Sequence, residues 1–114
     1  MDAQERRRET RVDVHIPLRF RPLENTNVPE QKAETENVSQ LGVYFTTDFP
    51  LRVGAMLVLW MTMPTQVTEK EPRDVRCLAR VVHVEPTGRL VRKVGVGLRI
   101  EQYAAAAKTE RWAS

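Results

Sequence analysis

Two short clusters carry the chemistry open to this sequence: Arg6-Arg7-Arg8-Glu9-Thr10-Arg11, and Asn37-Val38-Ser39-Gln40-Leu41-Gly42. Arginine presents a planar fork of donors that grips phosphate oxygens in pairs, stacks on rings and matches the O6 and N7 acceptors of guanine. The Asn37 side-chain carbonyl can accept from the donor-bearing edge of guanine, and the Ser39 hydroxyl can donate or accept. Gly42 permits a positive φ or the close approach of a ligand. Together the clusters offer phosphate clamps, a base reader and a stacking surface, which suits a guanine nucleotide with a compact, doubly charged backbone. Spacing alone does not name that nucleotide.

Other reactive residue types lack partners at useful spacing. Cys77 is a lone cysteine in the apolar phase of a strand and reads as a small buried hydrophobe. His15 and His83 have no acid or thiol at metal-ligand spacing, so no metal is expected. Gly95-Val96-Gly97 lacks the third glycine and the helix start of a dinucleotide fingerprint. Ser39 lacks the strained elbow of a hydrolase nucleophile, and no catalytic residues and no enzymatic activity are expected.

The elements that must position the two clusters are strands. Val12, Val14, Ile16, Leu18 and Phe20 alternate with polar residues over Val12 to Arg21, which predicts one strand with a buried face. Pro17 removes a ladder donor and predicts an edge or bulge there. A polar strand is expected over Gln31 to Val38, and a β-branched and aromatic one over Val43 to Thr47. Gly54 marks a turn before Ala55 to Met63, an apolar run read as a strand buried on both faces. Arg73 to Glu85 and Val94 to Ile100 complete the set, with turn chemistry at Pro86-Thr87-Gly88. Glu101 to Trp112, with four consecutive alanines, predicts a short helix. Six short strands and one helix indicate an all-β fold, a six-stranded antiparallel barrel with a short C-terminal α-helix.

The length of 114 residues suits a single domain. We expect a flexible arginine-rich loop over 1–11, the barrel over 12–103 and a helix or tail over 104–114. No apolar run is long enough to span a bilayer and Met1 to Arg11 has no apolar core, so a cytoplasmic location is expected. A net charge of +3 is small for a protein that holds long nucleic acid, and the positive charge gathers near the N-terminus.

The order R-x-x-x-R, strand, [D/N]-x-S-x-x-G, strand resembles the PilZ domain family. Arg7 and Arg11 are the only arginines of the first cluster with that spacing, since Thr10 and Val12 stand four after Arg6 and Arg8. Gly54 before an apolar strand, Arg80-Val81-Val82 and Val94 to Ile100 are similar to the rest of the family's pattern, so the resemblance spans most of the chain. It implies a barrel whose arginine loop folds over a surface site and binds the bacterial second messenger cyclic di-GMP. Arg7 and Arg11 would grip phosphate and guanine, Asn37 and Ser39 would read a guanine edge, and Gly42 would shape the turn. Arg6 and Arg8 are candidates for further ligand contacts, Arg6 by stacking on a second ligand.

Two positions depart from the pattern. Asn37 replaces the commoner aspartate and gives up a charge-assisted bond, and Ile100 stands where an aromatic residue is usual. Beyond this ligand no cofactor is expected. The resemblance implies a receptor that passes its signal to an unidentified downstream protein, as a monomer or weak dimer. Alternatives are a protein-interaction module of the same fold without ligand, or a small barrel that binds single-stranded nucleic acid. The second needs exposed aromatic platforms, and aromatics make up only 6% of the chain.

Overall fold

The computed structural model describes residues 10–25, 27–87 and 92–105. Its strands are β1 (Val12–Asp13), β2 (Pro17–Pro22), β3 (Gln31–Val38), β4 (Gly42–Thr47), β5 (Met56–Met63), β6 (Arg73–Pro86) and β7 (Val94–Ala105), with a one-turn helix α1 (Thr65–Thr68) between β5 and β6. Six of them pair antiparallel in the ring β3-β2-β5-β6-β7-β4, and β4 returns to β3 through Thr35↔Phe45 and Val38↔Val43. Closure leaves no long unpaired edge.

Period-two alternation decides which residues face inward. Leu18 and Phe20 of β2, Leu57 and Leu59 of β5, Cys77, Ala79 and Val81 of β6, and Val96 and Leu98 of β7 fill the interior. The Phe20 and Phe45 rings meet at 5.2 Å between centroids, and Phe49 caps them edge-on at 5.9 Å. β5 was expected to be buried on both faces. Its inner face is fully buried, whereas Met56, Trp60 and Thr62 on the outer face are half-buried.

The expected first strand is two strands. Residues 14–16 leave the ladder, and the buried Thr35 fills the break: its hydroxyl accepts from the Ile16 amide at 3.0 Å and donates to the Val14 carbonyl at 2.5 Å. Pro17, which has no amide hydrogen, opens the second piece. As a result β1 pairs with the far end of β3, Val12 opposite Val38 and Asp13 opposite Asn37.

The last strand is longer than its sequence suggests. Glu101–Ala105, where residue types predict the start of a helix, continue β7 because the first half of β6 offers backbone partners, Val75↔Ala105 through Leu78↔Gln102. Sheet pairing overrides the helical preference of alanine, which cannot hold so short a segment without tertiary support. The rest of the expected helix, 106–112, lies outside the described residues, as does Gly88 of the expected turn. Gly54 has φ 97°, in the left-handed region that favours glycine, and its amide donates to the Val81 carbonyl at 2.7 Å.

Candidate functional site

The pairing of β1 with β3 brings Arg11, the residue just before β1, beside the second cluster. The Arg11 Nη1 donates to Asn37 Oδ1 at 2.7 Å. The two clusters therefore meet at this bond. Arg6, Arg7 and Arg8 lie outside the described residues.

From Ser39 to Gly42 the chain makes a tight reverse turn held by its own serine. The Ser39 amide donates to the Gly42 carbonyl at 2.8 Å, and the Ser39 hydroxyl accepts from the amides of Leu41 and Gly42 at 3.2 and 3.1 Å. Ser39 is 2% exposed, and its hydroxyl hydrogen faces the Gly42 carbonyl across a loose 3.5 Å. Such self-bonding is the local preference of serine in turns.

Gly42 serves close approach, not a positive φ. A Cβ there would lie 2.6 Å from the Leu98 carbonyl oxygen and 3.3 Å from Arg11 Nη2. The guanidinium of Arg11 thus lies over the Gly42 backbone with the Asn37 amide at one end. Asn37 Oδ1 keeps a second lone pair.

Beside the turn opens a depression of about 380 Å³ lined by Arg11, Ser39, Leu41, Val82, Leu98 and Arg99. Three of these escaped sequence reasoning. Arg99 arrives because β4 and β7 pair Gly42↔Arg99, a register that no local pattern shows. Val82 is 48% exposed because it stands in the outward phase of β6, opposite the buried Cys77, Ala79 and Val81, so an apolar side chain is left on the surface. Leu98 is a core residue whose backbone forms the floor under Gly42.

The cations are not equivalent. Arg80 is engaged, its Nε donating to Glu101 Oε2 at 2.9 Å and its Nη1 to the Gly54 carbonyl at 3.2 Å. That hydrogen bond raises the Arg80 pKa and lowers the Glu101 pKa. The exposed Arg99 side chain makes no hydrogen bond among the described residues. Arg11 and Arg99 with the apolar Leu41 and Val82 form a basic depression with an apolar wall, fitted to an anionic, flat ligand.

The remaining reactive groups belong to the framework. Burial pushes the Cys77 thiol up to about 12. The Tyr44 hydroxyl donates to Glu85 at 2.6 Å, which raises the tyrosine to about 12 and lowers the carboxyl. His15 Nδ1 lies 2.9 Å from the Thr35 carbonyl. Among the described residues no three His, Cys, Asp or Glu gather as metal ligands, and no helix is long and apolar enough to cross a membrane.

Comparison with known proteins follows the same lines. The family profile described as PilZ domain matches residues 5–111. Comparison with curated protein sequences gives no match. Among solved structures the chain is similar to the Bacillus subtilis inhibitor of motility (MotI/DgrA), with TM-score 0.63 and 21% identity over 83% of this chain. The match spans 42% of that chain, so the likeness is one of fold.

Proposed function

This chain belongs to the PilZ domain family, and from that premise we propose that it is a bacterial, cytoplasmic receptor for cyclic di-GMP that performs no catalysis. Support comes above all from the 2.7 Å bond between Arg11 and Asn37, which joins the two halves of the family's ligand motif on one surface. A guanidinium already oriented over a glycine backbone loses little freedom when it takes a phosphate or guanine acceptor.

Each residue then has a role. Arg7 and Arg11 grip phosphate and the O6 and N7 edge of guanine, with Arg6 and Arg8 as further contacts. Asn37 accepts from guanine through its second lone pair. Ser39 fixes the turn and offers its loosely held hydroxyl hydrogen. Gly42 keeps the site shallow enough for Arg11 to lie flat. Arg99 adds a second cation from the barrel wall, and Val82 and Leu41 give the base an apolar surface. Binding draws the rest of the 1–11 loop onto the barrel beside Arg11 and changes the surface offered to a downstream protein partner, which requires that the ligand prefer one arrangement.

Calorimetric titration with cyclic di-GMP, with GTP and cyclic di-AMP as controls, tests this reading. Saturable binding of cyclic di-GMP alone is expected, and Arg7→Ala should weaken it about tenfold to a hundredfold, as the loss of a charge-assisted bond does. A stoichiometry of one ligand per chain would remove the stacking role of Arg6. Equal affinity for the controls, or for single-stranded oligonucleotides, would overturn the assignment.

A further inference from the structure

A second depression, about 410 Å³, lies on the outside of the wall made by β2, β5 and β6. Leu18, Phe20, Leu57, Leu59 and Cys77 point into the core, so their neighbours in the strands point outward. Register sets these outward residues in two rows, Arg19, Trp60 and Arg76 in one and Arg21, Val58 and Leu78 in the other. An apolar centre is therefore bordered by Arg21 and Arg76, while Arg19 is buried and paired with Glu30 at 3.2 Å. Among the described residues no carboxylate lines the depression.

Two groups there face a missing complement. The Arg21 guanidinium lies 5.8 Å from the centre of the Trp60 ring and makes no hydrogen bond or ion pair among the described residues. The Trp60 indole Nε1 is buried with no acceptor among the described residues, an unfavourable state for a donor cut off from water. Both are donors, and tryptophan and arginine are the residue types that most often anchor interfaces.

We propose that this face docks an acidic segment of a protein partner, a carboxylate bound by Arg21 on the wall that also carries Arg76, and an apolar side chain laid on Val58 and Leu78 beside the Trp60 edge. Charge complementarity selects that occupant. A second copy of the chain in a two-fold contact would set these arginines against themselves. Residues 106–114 carry Lys108 and Arg111 against Glu110, the wrong sign for the site. For a nucleic acid the stacking face of Trp60 is already covered by Arg21. The face is separate from the nucleotide site but adjoins it, because Tyr103 lines this depression and its hydroxyl donates to the carbonyl of Gln40 in the Ser39–Gly42 turn.

The test is a nuclear magnetic resonance titration of the isotope-labelled full chain with a short synthetic peptide, a central leucine flanked by glutamates, and with its lysine counterpart. The Trp60 indole N–H resonance should move saturably with the acidic peptide alone, less so at high salt. Arg21→Glu should weaken that binding at least about tenfold and Arg21→Gln by less, while cyclic di-GMP affinity is unchanged in both. The proposal is overturned if the resonance stays still or follows the lysine peptide equally. It is overturned as well if dilution alone moves it, if deleting 106–114 reproduces the shift, or if oligothymidylate competes more strongly than the acidic peptide. Because Arg21 lies outside the nucleotide site, loss of peptide binding with cyclic di-GMP binding intact separates this inference from the receptor reading.

Discussion

Arg11 and Asn37 stand 26 positions apart in sequence and are joined by a 2.7 Å hydrogen bond between guanidinium and side-chain amide oxygen. Two residues of pairing between β1 and β3 create that contact. If the two side chains act on the ligand as one unit, their replacements should not add. We expect Arg11→Ala to weaken cyclic di-GMP binding about tenfold or more, Asn37→Ala to do somewhat less, and the double variant to lose less than the sum, with a coupling of about 0.5–3 kcal/mol. A double-mutant cycle by calorimetry measures it, and strict additivity would mean that the bond has no part in recognition.

Glycines 42 and 54 should separate recognition from folding. At Gly42 an added Cβ meets the Leu98 carbonyl at 2.6 Å and crowds Arg11. Gly42→Ala should therefore lower the melting temperature and ligand affinity together. At Gly54 there is open space but φ is 97°, so Gly54→Ala should cost about 1–2 kcal/mol of stability and leave affinity unchanged. Thermal melts paired with titrations check both, and unaltered binding by Gly42→Ala would contradict a close approach of Arg11 to the Gly42 backbone.

Alkaline pH should loosen the β4 to β6 wall. Tyr44 is raised from 10.0 to about 12, chiefly by its hydrogen bond to Glu85, so the fold favours the protonated phenol. That stabilisation is complete below about pH 10 and is lost as pH rises towards about 12. Glu85 is lowered by the same bond, so its contribution is present above the ordinary carboxylate range and disappears as pH falls below it. Wild type should lose stability relative to Tyr44→Phe over both windows. Chemical denaturation at stepped pH provides the comparison, and parallel curves would deny the pair any role.

Cys77 should be inert while the barrel is folded. It is buried among core residues, and its thiol is pushed up to about 12. Labelling by iodoacetamide should be slow in the native protein and fast in denaturant, because the thiolate is the reacting species. Fast native labelling would show that the β5 to β6 wall opens readily.

Much of this was legible in the sequence because alternation is a local signal. Gln31–Val38 and the apolar run after Gly54 form strands close to where residue types put them. Long-range register was not legible. The break at 14–16 depends on a threonine on another strand, and the extension of β7 to Ala105 depends on β6 offering partners to residues that prefer a helix in isolation. For the site, residue identity marked Arg11, Asn37, Ser39 and Gly42. The buried, self-bonded state of Ser39 and the presence of Arg99 and Val82 arise only from folding.

The most direct test of the receptor site follows individual resonances of the isotope-labelled chain as cyclic di-GMP is added. Saturable shifts are expected at the Arg11 side-chain N–H, the Asn37 side-chain amide and the Gly42 backbone amide, with Gly54 unmoved. Shifts confined to other faces of the barrel, or none at saturating ligand, would contradict the receptor reading.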